Sequence, residues 1–559
     1  MPQTADPELL RRIPLSARTV LMVDCTDGAL AAAYRRMNPR ARLLALVSDS
    51  QAAAALEADF DQIAIDDGEG PSPLDGPDGD LDCIVYDQSL QWNADPFGLL
   101  GRHTRALSAD GMMLIRVANA EFWRLTRRLL LGAEKDDADL TLPDVPSIFT
   151  LDGLRDALLG LGLALCDVTL EEPAKQEAEA FVAAITPALA ALGVDPADYA
   201  RRSSASHHVW RVRKTDGERL IVSGNMLEPV GGVSHVRVVH PLAAIGSNPL
   251  ATVRLTKQIT AQPPIDDTPR IFVLHRPALT TRRSHELVRA LRKAGYLVIT
   301  EFDDHPDYFD MMRVGGELTF RGVHALQTST PALANVLRQY NPEIAIFPNA
   351  VARLPPVHNF TDPDVMTLFF GALNREQCWR PLMDVINTVA RMAGRRLRFQ
   401  IVHDQQFFDT LDTPFKAFTP TCDYETYLHL LGSSEICFMP LSDTPFNRAK
   451  SDLKFIECGA SRVTALASTV VYGDSIQHGR TGLLFRDTTE LYNALLRLLD
   501  APDTGRAMGD AARHYVATER MLAYQVAPRI AWYRSLWQRR ATLDAALDAR
   551  LAMDLAKAA

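Results

Sequence analysis

Short apolar runs, separated by polar or helix-forming stretches, recur along the whole chain. Near its start TVLMV, RLLALVSD, FDQIAI, LDCIVYD and GMMLIRVAN are such runs, and helix-forming segments lie between most of them. Continuous apolar runs bounded by turn residues predict strands buried on both faces, and their alternation with helical patterns predicts a parallel α/β sheet. A cluster of Gly, Pro and Asp over 66–80 predicts a loop between the third and fourth strands. After KTDGE at 214–218 the alternation restarts. RLIVSGN, IFVLHR, YLVITE, GVHALQTST and IAIFPNAV are predicted strands, with helices over SHELVRALRKAG and PALANVLRQY, as far as the linker Pro355-Pro356. A third round follows, with strands VMTLFFGAL, LRFQIVHD, EICFMPL and GLLF. Helices are predicted over RPLMDVINTVARMAG, YETYLHLLGSS, SDLKFIECGA, ELYNALLRLLD and MGDAARHYVATE. In the tail from 521 onwards the apolar residues are spaced to pack along one side of a helix. The fold class is therefore α/β. The expected divisions are a leader 1–17, domains 18–215, 216–357 and 358–520, and a helical segment 521–559.

Bulk numbers narrow this picture only slightly. At 559 residues the chain exceeds one core and fits three or four domains. Apolar residues make up 47% and charged residues 23%, the balance of a globular protein. The 59 basic and 69 acidic residues give a net charge of −10, so any anion must be held by a local cluster and nucleic acid is not an expected partner. The seven cysteines are scattered without a CxxC pair, which predicts free thiols in a reducing compartment and no zinc site. Neither a signal peptide nor a membrane-spanning run is evident, so the expected location is cytoplasmic, with peripheral contact at the inner membrane face and homo-oligomerisation left open.

Residues 18–215 resemble class I S-adenosylmethionine-dependent methyltransferases. DQSLQWNADPFGLLGRHTRALSADGMMLIRVANAEFW is similar to their fourth strand, helix and fifth strand. SIFTLDGLRDALLGLGLALCDV is similar to the late helix and strand, and HHVWRVRK to a final strand. The resemblance implies an acidic residue in the first strand and a glycine-rich turn beside the cofactor. Here the turn is Asp24-Cys25-Thr26-Asp27-Gly28, with Met22 at the acidic position; Val47 or Ser48 replaces the ribose-binding acid, with Asp49 adjacent. Such a turn crowds the cofactor and adds negative charge. Two readings stand: a degenerate domain that docks or positions an acceptor, or a methyltransferase with an altered pocket. S-adenosylmethionine is not an expected cofactor.

The richest chemistry lies in PFNRAKSDLKFIECGASRVTALASTVVYGDSI, residues 445–476. Ser451 and Asp452 are candidate N-caps for a helix starting just after Lys450. Amide groups at such a start, with cations beside them, suit a diphosphate. Glu457, about one turn after Lys454, can accept hydrogen bonds from ribose or sugar hydroxyls. Residues 218–540 resemble a GT-B glycosyltransferase of the large retaining group called family 4. The matches run in order: Gly231-Gly232, TSTPALANVL to FPNAV, FFGALNREQCWRPLMDVI, KSDLKFIECGA with ALAS, and GRTGLLF.

The fold this implies is an N-terminal Rossmann-like methyltransferase domain followed by a GT-B pair of Rossmann-like domains. The activity it implies is transfer of a sugar from a nucleoside diphosphate sugar to a glycan, lipid-linked or protein acceptor, without a further cofactor or metal. Such transfer serves bacterial surface-polysaccharide or glycoconjugate assembly. Carried over by position, Arg375, Lys450, Lys454 and Glu457 are the catalytic candidates. Gly231, Gly232, Asn447, Ser451, Ser468 and Thr469 are the donor-binding ones. The family's partner glutamate falls at Ala449, and its Gly-x-Pro reads Arg462-Val463-Thr464, a change expected to reshape the sugar pocket. A bifunctional transferase and a non-catalytic scaffold are the alternatives.

Several other residues are open to two readings. Asp303, Asp304 and His305 follow a predicted strand and are candidates for an acceptor-side role or a metal site, the expectation being a loop that faces the cleft. Arg237 and His240, beside the glycine pair, suit cleft contacts or a core edge. His403-Asp404 follows a strand on the edge where such sheets bind ligands. His207-His208 is expected to be solvated at a strand start, and Trp92 and Trp123 to pack in a core.

Overall fold

The computed structural model describes residues 5–558 apart from 26, 67–78, 133–146, 172–174, 227–230, 258–263, 265, 314–316, 359–361 and 363. The loop expected over 66–80 lies almost wholly outside the described residues, as does Thr26 of the first turn. Contacts divide the chain into two compact units. The first comprises Met1–Arg35, Arg40–Glu218 and Gly246–Leu250; the second comprises Arg36–Pro39, Arg219–Ile245 and Ala251–Ala559.

The first unit holds strands β1 (Thr19–Val23), β2 (Arg42–Val47), β3 (Gln62–Ile65), β4 (Leu81–Asp87), β5 (Leu107–Ala118), β6 (Ala164–Glu171) and β7 (His207–Arg213). They form one sheet in the order β3-β2-β1-β4-β5-β7-β6. β7 runs antiparallel to both its neighbours, and the other pairs are parallel. Period-two alternation splits each strand between two cores. Val20, Met22, Leu43, Ala45, Cys83 and Val85 pack on one face. Leu21, Val23, Leu44, Leu46, Ile84 and Tyr86 pack on the other. Helices cover both faces, as continuous apolar strands require.

Two expectations fail in this unit. His208 is fully buried rather than solvated, because β7 is an interior strand; burial lowers its pKa to about 4. Trp92 is 54% exposed on a short 3-10 turn, whereas Trp123 is buried against Phe181. The helices Lys175–Ala191 and Pro196–Ser203, not expected from the pattern, lie between β6 and β7.

The second unit contains two all-parallel sheets. The first is built from β8 (Leu220–Asn225), β9 (Ala251–Thr256), β10 (Arg270–His275), β11 (Leu297–Glu301), β12 (Ala325–Thr328) and β13 (Ile344–Ile346), in the order β13-β12-β11-β10-β8-β9. The second is built from β14 (Met366–Gly371), β15 (Leu397–Val402), β16 (Lys416–Thr419), β17 (Ile436–Met439), β18 (Thr464–Ser468) and β19 (Leu483–Phe485), in the order β16-β15-β14-β17-β18-β19. The strand order reverses between β8 and β10 in one sheet and between β14 and β17 in the other. In open parallel sheets, ligands bind outside the carboxyl ends of strands at such a reversal.

The second sheet's main core gathers Leu368, Phe370, Phe399, Ile401, Phe438 and Leu466. Phe369, on the opposite face of β14, meets Tyr427 edge-on with ring centroids 5.4 Å apart. That contact seats the helix Tyr424–Gly432 beside the strand ends. The tail forms two helices, Ala523–Gln538 and Arg540–Ala558. They return to the first sheet of this unit: Tyr533 donates to Gln327 at 2.9 Å, and Arg292 binds Asp544 and Asp548.

Candidate active site

A cavity of about 480 Å³ opens at the carboxyl ends of the strands in the second unit. Its first wall carries Gly232, Val233, Ser234, His275, Arg276, Asp303, Asp304 and Asn349. Its second wall carries the loop Ala372 to Arg375, His403, Tyr424, Tyr427, Phe446, Lys450, Ser451, Lys454, Glu457 and Tyr472, among others. Three residues on these walls, Arg276, Asn374 and His403, have positive φ values of 47°, 55° and 74° without being glycine. Each follows a strand directly or within a few residues, so the chain tolerates backbone strain where it turns towards the cavity.

The helix Leu453–Ala460 brings Lys454 and Glu457 onto one face, three residues apart, while Phe455, Ile456, Cys458 and Gly459 face inward. Gly459 packs closely: a Cβ there would lie 3.2 Å from the Ala512 carbonyl oxygen of the neighbouring helix. Asp452 occupies the N-cap position, yet its side chain does not cap. Its carboxylate instead takes hydrogen bonds from Arg520 (Nη2 to Oδ1, 2.8 Å) and the Ser475 hydroxyl (2.6 Å). The Ser451 hydroxyl faces Asn349 at 2.7 Å. Neither expected cap is therefore used as one, because a buried arginine is the stronger partner for the carboxylate. Burial alone would raise the Asp452 pKa, and Arg520 reverses this, holding it below the ordinary value.

Each expected catalytic side chain lines this cavity. Glu457 is 6% exposed and accepts from the Tyr424 hydroxyl at 2.6 Å. Burial raises its pKa, opposed by Lys454 and that hydrogen bond. Lys454 Nζ donates to the Gly371 carbonyl and to Tyr427 Oη, the latter at 3.1 Å. Burial lowers its pKa while Glu457 supports the charge. Lys450 Nζ sits 3.3 Å from Asp304 Oδ1 and 4.1 Å from the Phe446 ring centroid. Its pKa is lowered by burial against the pull of Asp304. Arg375 has no carboxylate within ion-pair distance among the described residues; its guanidinium donates to the Asn374 carbonyl at 3.3 Å. It is the cavity cation most available to an incoming anion.

The other expected residues divide. Gly231 and Gly232 open the helix Gly231–Ser234 rather than a loop, and Gly232 reaches the cavity. Ser451, Asp303 and Asp304 also line it. Asp303 binds Arg276 Nε at 2.7 Å; burial pushes its pKa up, and Arg276 and His275 more than reverse this, holding it well below the usual carboxylate value.

Asn447, Ser468, Thr469, Arg237, His240 and His305 stand off the cavity lining. Asn447 is buried and gives its amide to the Ser442 carbonyl at 2.8 Å. The Ser468 hydroxyl accepts from Leu441 N at 3.0 Å, so it positions a lining residue. Thr469 joins β19 by donating its N–H to Phe485. Arg237 is buried against Glu301 (2.8 Å) and donates to Asn349 Oδ1 (2.9 Å), a core role reaching the cavity only through Asn349. His240 packs 6.1 Å from the Tyr424 ring, with its pKa lowered to about 4 by burial and His235. His305 caps the turn Pro306–Tyr308, accepting from Asp307 N at 3.3 Å. Asp404 is buried, capping Gln405–Thr410 and accepting from Trp379 Nε1 at 2.9 Å. Arg462, Val463 and Thr464 also lie away from the lining.

Sequence reading missed His275, Arg276, Asn349, Tyr424, Tyr427 and Tyr472. His275 ends β10 and Arg276 follows it directly, so the strand-edge rule that picked out His403 would have found them.

No protein-family model and no curated protein matches the chain. Among solved structures it is similar to sucrose-phosphate synthase from Thermosynechococcus elongatus, at 16% identity and TM-score 0.43, over 57% of this chain and 100% of that one. It is similar to HepE from Anabaena in complex with UDP-glucose, at 12% identity and TM-score 0.41, over 56% of this chain and 99% of that one. It is also similar to a glycosyltransferase from Rickettsia africae, at 12% identity and TM-score 0.40, over 57% and 99%.

Proposed function

We propose that the second unit is a glycosyltransferase that moves a sugar from a nucleoside diphosphate sugar to an acceptor hydroxyl. The observation that carries this reading is one cavity, at the carboxyl ends of two parallel sheets, that gathers Arg375, Lys450 and Lys454 beside the buried Glu457. In this reading Arg375 and Lys454 meet the diphosphate, and Glu457 takes ribose hydroxyls. Ser451 and Gly232 are donor contacts, while Asp303 and Asp304 face the acceptor side. As the bond from the anomeric carbon to the phosphate oxygen breaks, negative charge grows on the leaving diphosphate. Fixed cations in a partly dehydrated cavity then stabilise the transition state more than the ground state. The acceptor oxygen bonds to the anomeric carbon, and its proton passes to the leaving phosphate oxygen, consistent with a retaining outcome without a protein nucleophile.

The acceptor class is a glycan, lipid-linked or protein hydroxyl, within surface-polysaccharide or glycoconjugate assembly. No helix among the described residues is long and apolar enough to cross a membrane. We further propose that the first unit is a degenerate methyltransferase-like domain that positions the acceptor. Its strand order, with β7 antiparallel inside the sheet, supports that reading. Met22 is buried in the core. Asp49 is engaged in capping Ser50–Leu56, and Asp24 takes a left-handed turn with φ 47°.

The decisive experiment supplies a panel of UDP-, GDP-, ADP- and dTDP-sugars with glycan and lipid-linked acceptors and detects released nucleoside diphosphate by mass spectrometry. Turnover of at least one donor is expected. Absence of turnover with absence of nucleotide binding would leave a non-catalytic scaffold. Titration with S-adenosylmethionine is expected to give no binding; a saturable signal would establish the bifunctional alternative.

A further inference from the structure

Tyr424 occupies an unusual position in the cavity. It opens the helix Tyr424–Gly432, which is fixed by Asp423 accepting from Thr426 N at 2.7 Å. From there its ring crosses to the opposite wall. It stacks on His235 with centroids 5.3 Å apart and planes 26° from parallel. It lies so close to Gly232 that a Cβ there would come within 2.5 Å of Tyr424 Cε2. Glycine at 232 is thus required by a tyrosine ring. The hydroxyl at the far end of that ring donates to Glu457 Oε1 at 2.6 Å. Burial beside Glu457 raises the phenol's pKa, so the hydroxyl stays protonated and remains a donor.

One oxygen of Glu457, Oε1, is therefore already engaged by the protein. A ligand diol that reaches both carboxylate oxygens gains little at Oε1 unless the tyrosine yields its place, because the two hydroxyls address the same oxygen. We propose that the Tyr424 hydroxyl holds the place of a ligand hydroxyl on Glu457, so that binding of a ribose-bearing ligand exchanges one donor for the other. Tyr424 is then a specificity-determining residue: it weakens a ligand whose diol spans both oxygens of Glu457 and leaves untouched those that engage only the cations. The inference rests on the nucleoside diphosphate reading above, and deepens it by naming the protein group that competes for the Glu457 contact.

Calorimetric titration of the full chain with UDP, GDP, ADP, dTDP and inorganic pyrophosphate tests it. Tyr424→Phe removes the competing hydroxyl and keeps the ring. The nucleotide that binds wild-type protein is expected to bind this variant about 3- to 10-fold more tightly, with pyrophosphate unchanged. Unchanged or weaker nucleotide binding in Tyr424→Phe would overturn the exchange. So would an equal gain for pyrophosphate, which would mean general loosening of the cavity. If pyrophosphate alone binds, and no nucleotide binds either protein, the nucleoside diphosphate reading itself falls and the exchange with it. A thermal melt of the variant verifies that it is folded.

Discussion

Lys454 and Glu457 share a helix face, and each makes the other's burial tolerable. Removing one leaves the other's buried charge less compensated, which is destabilising. Lys454→Ala is therefore expected both to lower the unfolding free energy, measured by urea denaturation, and to weaken nucleoside diphosphate binding at least about tenfold. Arg375→Ala, at a half-buried site without a carboxylate partner, is expected to weaken binding with little effect on stability. Asp303 gives a pH test. Its carboxyl is held well below its unfolded value of 3.8, so it contributes stability at pH values above about 4 that is lost as pH falls through the folded value. The melting temperature of Asp303→Asn should thus differ from wild type most at neutral pH, and the two curves should converge in acid. Lys454 and Glu457 could be singled out in the sequence because their spacing fixes them on one helix face. Tyr424 could not: its importance comes from a ring spanning to Gly232, a contact that no local pattern encodes.

At the scale of elements, apolar continuity made the interior strands legible. β1, β10, β14 and β17 fall where runs such as TVLMV, IFVLHR, VMTLFFGAL and EICFMPL predict them. β9 and β16 escaped because they are edge strands, where polar residues are tolerated: ATVRLT is largely exposed along one side, and KAFT is only four residues long. The start of the site helix was legible and its chemistry was not, since the partner of Asp452 lies 68 residues later, at Arg520. That ion pair has side chains only 13% and 11% exposed, and it ties the end of the helix Pro502–Glu519 to the start of Leu453–Ala460. Arg520→Ala is expected to cost about 3–5 kcal/mol in urea denaturation. It should also reduce nucleotide affinity by loosening the base of the site helix; unchanged affinity would show that the helix start is held by its apolar face alone.

Across the whole chain, two units of parallel and mixed sheets carry different chemistry. The cavity and its cations belong to the second, and the seven-stranded sheet with antiparallel β7 belongs to the first. Within the second unit the tail matters to the site at long range. Arg529 stacks 4.1 Å from the Phe347 ring centroid, and Tyr533 holds Gln327, which in turn donates to Glu301 at 2.7 Å beside Arg237. The central claim, that this cavity grips a nucleoside diphosphate, is tested most directly by the thermal melt of the full chain with UDP, GDP, ADP and dTDP in turn. A ligand that binds only the folded state adds about 2.7 kcal/mol at 100 times its Kd. At least one nucleotide should raise the melting temperature by several degrees in wild type, and the rise should vanish in the Arg375→Ala, Lys454→Ala double variant. No shift with any of the four, or a shift that survives undiminished in the double variant, would contradict the account.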